Sequence, residues 1–211
     1  MTDSAENRPR KPSQSIRDAC VSEAMSVIAS GGLEALSLRE VARRLGISHQ
    51  APYKHFSSRD HLLAEVIRRC LKDFADALRS SAFDEAGQPR TAEDAMRTLG
   101  FVYLDYAARH PLQYRLMFGT PWPAVAHDIG LAEDARAAFD VLRARLNAIR
   151  KRDDHTLDLD AMFVWSSIHG IASVVESEAM RHLNFSEDKA REAVLHAVRM
   201  IDRIVFEDRH A

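Results

Sequence analysis

Residues 37–56 constrain the fold more than any other stretch, because they contain the start and end signals of one short helix and a proline soon after it. Ser37 is a preferred helix N-cap residue, and Glu40 three residues later completes the pattern of a capping box. Gly46 follows the last apolar position and is expected to end the helix. The apolar positions between these signals are Leu38, Val41, Ala42 and Leu45.

Pro52 lies where a further helix should be under way. If Ser48 caps that helix, Pro52 is its fourth residue and leaves one backbone hydrogen bond unmade. If His49 is the cap, Pro52 falls in the first turn and no bond is lost. In both cases residues 53–56 can continue as helix, and the sequence does not choose between the two caps.

Helical periodicity also surrounds this stretch. A helix begins near Ser13 and stops at Gly31-Gly32, and Ser57 or Ser58 caps another that starts near Arg59. Strand-like alternation is absent from the later sequence, and residues 119–130 are expected to be a loop. Further helices are predicted over 91–110, 111–118, 131–152, 156–182 and 186–208. The chain is therefore predicted to be all-α, with about nine helices.

Composition suggests three regions. Residues 1–12 are polar and lack apolar periodicity, which is typical of a flexible tail. Residues 1–60 are mildly basic, whereas the whole chain has a net charge of −2. We expect 13–60 to form a small helix-turn-helix domain and 61–211 a larger helical domain, linked by the helix that begins near residue 58.

Several classes of protein are disfavoured. No apolar run reaches the roughly 18 residues that span a membrane. Cys20 and Cys70 are isolated and are expected to be reduced thiols in a cytoplasmic protein. GxSxG, P-loop, HExxH and paired-cysteine patterns are absent, so we expect no enzyme activity and no cofactor. His49, His55 and His61 fall on different helix faces, which disfavours a metal site.

A short helix, a glycine turn and a second short helix form the layout of a helix-turn-helix, whose second helix presents side chains to the DNA major groove. Here that helix would expose Gln50, which can bond adenine, Lys54, which can donate to guanine, and Tyr53, whose hydroxyl can reach a phosphate. His49 lies beside them. Arg59, at the start of the next helix, also suits a phosphate. The alternative is an ordinary solvated helix face.

The order of the residues indicates more than their spacing. The run "GGLEALSLREVARRLGISHQAPYKHFSSRDHLLAEVI" resembles the DNA-binding domain of the TetR family of bacterial transcriptional regulators over about residues 14–75. Pro52 departs from the family pattern, which commonly has Leu or another apolar residue there, although a subset with "HQAPY" accepts it. The matching residues are Ser37, Val41, Ala42, Leu45, Gly46, Ile47, Ser48, Tyr53, His55, Phe56, Arg59, Asp60, Leu62 and Leu63.

The resemblance implies a homodimer that binds a palindromic double-stranded DNA operator, most often as a repressor, and that responds to a small-molecule effector. It also implies a bacterial, cytoplasmic and nucleoid-associated protein with no membrane partner. The residues predicted to contact DNA are Ser37, Arg39, Ser48, His49, Gln50, Ala51, Tyr53, Lys54, His55 and Arg59.

The larger domain contains "YRLMFGTPW" and "WSSIHGIA", which resemble a C-terminal subtype of the family named for its Trp-His-Gly stretch. Trp165 and His169 share one helix face and are expected near other aromatic residues. The candidate effector pocket consists of Tyr103, Tyr106, Met117, Phe118, Trp122, Trp165, His169 and Glu176. A packed core in which His169 bonds a carbonyl or carboxylate is the alternative.

The last two helices carry apolar residues suited to a four-helix bundle formed with a second copy. The candidate dimer contacts are Ile168, Ile171, Val175, Val194, Val198, Ile201 and Val205. The same residues would equally serve to close the core of one protomer. Gly170, in the interior of a helix, suggests close helix packing at this seam.

Overall fold

The computed structural model describes residues 15–127, 129–150, 153–175, 177 and 186–207. These ranges contain no strand, only one isolated antiparallel bridge between Phe83 and Pro89. The all-α prediction is confirmed, and the observed number of helices is close to the nine expected. The eight α-helices of the described residues are α1 Ile16–Gly31, α2 Leu38–Leu45, α3 Arg59–Ser80, α4 Ala92–Arg109, α5 Pro111–Phe118, α6 Leu131–Arg150, α7 Asp154–Val175 and α8 Glu187–Glu207.

The chain divides into two compact units between Val66 and Ile67, which both lie inside α3. The first unit contains α1, α2 and the start of α3, together with Pro123–Val125. The second contains the rest of α3 and helices α4 to α8. In the described ranges no helix is both long and apolar enough to cross a membrane. The predicted tail, residues 1–12, lies outside those ranges.

The helix ends of the first unit follow the sequence signals. Ser37 Oγ accepts the Glu40 N–H at 3.1 Å, and Gly46 ends α2 in the left-handed region at φ 65°. Only half of the predicted capping box forms, because the Glu40 carboxylate accepts from Arg43 and Arg44 rather than from the Ser37 N–H. Each of these contacts needs only residues within one turn, which explains why the sequence predicted the helix correctly.

The segment after Gly46 differs from its prediction. It is not an α-helix capped by Ser48 or His49 but a turn at residues 49–51 followed by a single 3₁₀ turn, Pro52–Lys54. Ser48 Oγ accepts the N–H of Gln50, two residues on, which closes a local turn instead of capping a helix. Pro52 is the first residue of its turn, where an N–H has no partner within the helix, so the proline loses no hydrogen bond.

The core of the first unit is built from apolar positions on α1, α2 and α3. Phe56, at the end of the Pro52 turn, is only 2% exposed, and Pro52, at the start of that turn, is also buried. Arg44 joins α2 to α1, since its guanidinium donates to Ser30 Oγ at 3.0 Å. The buried residues of this core include Cys20, Val21, Ala24, Val27, Ile28, Leu38, Val41, Ala42, Leu62 and Leu63. Burial of the turn's apolar side thus holds its polar side outward.

Phe74 on α3 is the centre of the aromatic core of the second unit. Its ring centroid lies 5.0 Å from that of Tyr103 and 6.2 Å from that of Trp165.

Cys70, one turn before Phe74, is a buried free thiol, as predicted, and burial raises its pKa to about 12. Burial also raises the pKa of the other free thiol, Cys20 in the first unit. Both thiols therefore remain protonated at neutral pH.

Candidate DNA interface and ligand pocket

Four of the residues predicted to contact DNA line one surface depression of the first unit, with a volume of about 440 Å³. They are Arg39, His49, Gln50 and Tyr53. All four side chains are exposed. Lys54 follows Tyr53 in the same 3₁₀ turn and is exposed as well. We call this set of five side chains the basic face.

The local backbone explains why Tyr53 and Lys54 of the basic face point outward. Gly46 reverses the chain after α2, and the Ser48 hydroxyl holds the next turn through the Gln50 N–H at 3.3 Å. Pro52 and Phe56 turn inward and are buried. The polar residues between the two inward side chains are consequently left on the surface.

The structure gives other tasks to some predicted contacts. Ser37 uses its hydroxyl to cap α2. Arg59 donates to the carbonyl oxygens of Leu33 at 2.6 Å and Leu36 at 3.0 Å, so its guanidinium holds the loop between α1 and α2. Both side chains thereby support the motif, and their role as direct DNA contacts stays a prediction.

Three other predicted contacts are less clearly placed. Ser48 and His55 are exposed but do not line the depression, and Ala51 is half-buried. Sequence reasoning treated all of them as members of one helix. Their positions differ because the segment forms two successive tight turns, which distribute side chains differently from an α-helix.

The basic residues of α2 are partly neutralised by Glu40. Hydrogen bonds from Arg43 and then Arg44 lower the pKa of the Glu40 carboxyl to about 2. No carboxylate is among the described residues that line the depression, whereas Arg39 contributes a guanidinium to it. The face therefore combines cationic and neutral hydrogen-bond donors, which suits a polyanion with readable base edges.

The second unit brings four of the eight predicted pocket residues together around Phe74. Tyr103 and Tyr106 lie at 5.0 Å from it, Phe118 at 5.9 Å and Trp165 at 6.2 Å, measured between ring centroids. Their edge-to-face and tilted arrangement is the usual one for buried aromatic rings. This part of the prediction describes a packed aromatic core rather than an open space.

His169 reaches this core through two tyrosine hydroxyls. Its Nδ1 lies 2.7 Å from Tyr114 Oη and 3.1 Å from Tyr103 Oη, and the two hydroxyls are 3.2 Å apart. Burial lowers the pKa of His169 and raises that of both tyrosines, so all three groups are neutral at pH 7. We call these residues the Tyr-Tyr-His cluster. Among the described residues the partners of His169 are these two hydroxyls, whereas the packed-core alternative expected a carbonyl or a carboxylate.

A pocket of about 490 Å³ opens beside this cluster. Phe118 and His169 are the two predicted residues that line it, and the remaining lining residues were missed. They are Pro111, Tyr114, Arg115, Gly119, Ser173 and Ser177. Helical spacing from the two correct residues could have found Tyr114 and Ser173, which lie four residues from Phe118 and His169 respectively.

The other predicted pocket residues lie elsewhere or are not described. Met117 is buried, and its carbonyl accepts from Trp122 Nε1 at 3.0 Å, so Trp122 closes the end of α5. Tyr106 donates to the Cys70 carbonyl at 3.4 Å. Glu176 lies outside the described residues.

The candidate dimer residues fall into two groups. Ile168, Val198, Ile201 and Val205 are at most 8% exposed and belong to the protomer core. Ile171, Val175 and Val194 instead line an apolar groove of about 310 Å³ between α7 and α8. The groove is also lined by Gly170, Val174, Ala193 and Ala197. The spacing of apolar residues alone did not separate the inner faces of these helices from the outer ones.

In the parts of the chain that the structure describes, no group of three or more His, Cys, Asp or Glu side chains is arranged to hold a metal ion. The first unit has the helix and the glycine turn of a helix-turn-helix module, with two tight turns over residues 49–54 where its second helix was predicted, and the second unit is a helical domain with a side pocket.

Two family models match the chain. Residues 21–66 match the model for bacterial regulatory proteins of the tetR family, and residues 96–201, about half of the chain, match a tetracyclin repressor-like C-terminal domain. The chain belongs to the TetR family of bacterial regulatory proteins, which confirms the resemblance to that family seen in residues 14–75.

Individual relatives agree. The HTH-type transcriptional regulator Rv1816 of Mycobacterium tuberculosis is 32% identical over 92 residues, which are 44% of this chain and 38% of the relative. The HTH-type transcriptional activator FasR of Mycolicibacterium smegmatis is 27% identical over 141 residues, 63% of this chain and 61% of FasR. The chain thus spans less than two thirds of either protein.

A solved structure resembles the chain over more of its length. The putative regulatory protein SCO4313 superposes with a TM-score of 0.72 at 25% identity, covering 88% of this chain and 94% of that protein. The fold is therefore shared across both units.

Proposed function

We propose that this protein is a DNA-binding transcriptional regulator that contacts operator DNA through its basic face. The observation that carries the proposal is that Arg39, His49, Gln50 and Tyr53 line one exposed surface inside the segment matched by the tetR family model. Arg and Gln are the side chains that most often read guanine and adenine through two hydrogen bonds. Lys54 and the Tyr53 hydroxyl supply phosphate contacts that orient the motif on the duplex.

The regulator works as a homodimer on a palindromic site. Two copies of the basic face then enter successive major grooves about 34 Å apart. We assign the seam to the outward faces of α7 and α8 and to the groove between them. Large apolar side chains there are exposed, with Phe163 at 44% and Val174 at 52%, and Gly170 has open space where a Cβ would lie. Ile171, Val175 and Val194, from the predicted set, belong to the same surface.

Operator binding is released by a small molecule that enters the pocket beside the Tyr-Tyr-His cluster. Phe118 lines this pocket and packs on Phe74 of α3, the helix that continues into the first unit. A ligand that displaces Phe118 would therefore bias the position of α3. A coupling free energy of about 1–3 kcal/mol between the two sites is enough for a useful response.

Repression is the direction that the family resemblance favours, although one relative, FasR, is described as an activator.

We also assign the second unit to the Trp-His-Gly subtype, on its "WSSIHGIA" stretch. The functional division follows the one expected from the sequence, with 13–60 for DNA and 61–211 for ligand and partner copy. The protein acts in the cytoplasm, on the nucleoid.

Footprinting tests the proposal on DNA upstream of the protein's own gene. We expect protection of a two-fold symmetric site, and loss of that protection in Gln50→Ala. If the protein is a repressor, adding a compound that binds the second unit should weaken the protection of this DNA. Protection that no binding compound alters would leave a regulator without an effector, and no protection of any DNA would refute the proposal as a whole.

A further inference from the structure

The pocket beside the Tyr-Tyr-His cluster has a chemistry that indicates which ligands fit it. One wall is apolar and comes from Pro111 and Phe118, which lie on the face of α5 that also carries Arg115. Arg115 is exposed at the pocket, and its guanidinium has no hydrogen bond or ion pair to the residues that the structure describes. A cationic side chain that is left unpaired beside an apolar wall favours an anion with an apolar body.

Gly119 contributes to the room around this arginine. A Cβ added at Gly119 would lie 3.3 Å from Arg115 Cγ and 3.2 Å from the Arg115 carbonyl oxygen, closer than ordinary van der Waals contact. The small residue at the end of α5 therefore leaves the aliphatic part of Arg115 unobstructed. The guanidinium keeps the freedom to meet a ligand at the pocket rim.

His169 supplies a second donor. Both tyrosine hydroxyls of the cluster converge on Nδ1, and hydroxyls donate readily to an unprotonated ring nitrogen. When a hydroxyl donates to Nδ1, the neutral imidazole carries its proton on Nε2, because the hydrogen bond at one nitrogen sets the tautomer at the other. Among the described residues Nε2 has no hydrogen-bond partner, while the ring lines the pocket.

We propose that the effector is an organic monoacid, whose carboxylate binds Arg115 and whose aromatic or aliphatic body packs on Pro111 and Phe118. His169 Nε2–H donates to an acceptor oxygen of the same ligand. This inference deepens the proposed function and rests on it for the effect on DNA. A carboxylate is preferred to a phosphate because the described lining contains a single cation, which balances one negative charge.

The test compares matched probes by isothermal titration calorimetry on the full chain. One series is 2-naphthoate, 2-naphthamide, 2-naphthylmethylamine and 2-naphthyl phosphate. A second series carries the same kinds of head group on a cyclohexylmethyl body, and its carboxylate is cyclohexylacetate. We expect the carboxylate to bind roughly tenfold or more tightly than the amide and the amine, as charge-assisted hydrogen bonds imply. Tighter binding of the phosphate, equal binding of the amide, or no binding of either carboxylate would overturn the proposal.

Variants assign the preference to the pocket. Arg115→Gln should abolish the difference between acid and amide, and it is expected to fold because Arg115 is exposed. The matched control is Arg136→Gln, whose side chain is 79% exposed on α6 and does not line the pocket. An acid preference that survives in Arg115→Gln would place the ligand elsewhere and contradict the assignment.

DNA binding is measured separately, so that the two proposals fail separately. Anisotropy of labelled upstream DNA reports the regulator function with no ligand present. If that DNA binds and no acid is preferred, the ligand assignment falls and the regulator function stands. If an acid binds with the expected preference and the DNA affinity is unchanged, the effector role falls and the ligand site stands.

Discussion

Gln50 is the side chain on which recognition of the DNA sequence should depend most. It is exposed at the basic face and can make two hydrogen bonds to one adenine. We expect Gln50→Ala to lose about 1–3 kcal/mol of binding to a selected operator and almost nothing on random DNA. Quantitative gel shifts on both DNAs provide the measurement. Gln88→Ala, an exposed glutamine of the second unit, is the control.

Equal losses on both DNAs would show that Gln50 touches only the phosphate backbone. That outcome would move base reading to Arg39 or His49, which line the same depression. The comparison therefore distinguishes which side chain of the basic face carries specificity.

Tyr53 should behave in the opposite way. Tyr53 is 47% exposed, and its hydroxyl is the only hydrogen-bonding atom of the side chain. Tyr53→Phe removes a phosphate contact, so we expect weaker binding to all DNA sequences alike. Affinities for operator and random DNA, measured at one salt concentration, test this. A loss confined to the operator would contradict the phosphate role.

His169 predicts a dependence of stability on pH. Burial lowers its pKa from the ordinary 6.5, so the unfolded chain binds this proton at a higher pH than the folded chain. Its contribution to stability is therefore complete above pH about 6.5 and is lost as the pH falls through the lower, folded pKa. We expect the free energy of unfolding of the wild type, minus that of His169→Gln, to decrease between pH 7 and 5. Urea titrations at a series of pH values check the slope, and a difference that is flat or rises towards low pH would refute it.

The end of α2 rests on one backbone conformation. Gly46 has φ 65°, where an L side chain is strained, although nothing lies within 4 Å of a Cβ added there. Gly46→Ala should therefore cost about 1–2 kcal/mol of stability through the backbone alone. Chemical denaturation followed by circular dichroism measures the change.

Gly100 provides a matched control with the opposite sign. It lies inside α4 in a helical conformation, and an added Cβ would meet only Ile168 Cδ1 at an ordinary 3.7 Å. Gly100→Ala should stabilise by up to about 1 kcal/mol, since alanine is the better helix former. If both substitutions changed stability in the same direction, the conformational argument for Gly46 would be wrong.

Assembly of the whole molecule depends on which apolar residues are left exposed. Phe163 on α7 is 44% exposed at the proposed seam. We expect Phe163→Asp to give a monomer with unchanged helix content, because a charge would be buried between the copies. Light scattering after gel filtration measures the mass. Phe83→Asp, at a 50% exposed phenylalanine outside α7 and α8, should leave the dimer intact.

Val198 distinguishes the two groups of candidate dimer residues. It is 3% exposed within one protomer, so Val198→Asp should unfold the second unit rather than separate two copies. A folded monomer from this substitution would instead place Val198 at the seam, as the sequence had suggested.

Local patterns in the amino-acid order were sufficient for most of the helices. Ser37, Gly46 and Pro111 start or end elements where predicted, because caps and prolines act on backbone groups within one turn. Ser58, one of the two caps left open, accepts the His61 N–H at 3.2 Å at the start of α3. Recognition of the family rested on the same stretch, where residue order is most constrained.

Tertiary packing decided the remainder. Pro52 formed a 3₁₀ turn because its ring is buried while the residues around it stay polar, and periodicity does not report that balance. Tyr114 became a pocket residue, and Val198 a core residue, through contacts with helices distant in the chain. A helical pattern specifies which residues share a face, but the partner of that face is chosen only when the whole core packs, because apolar burial is non-directional.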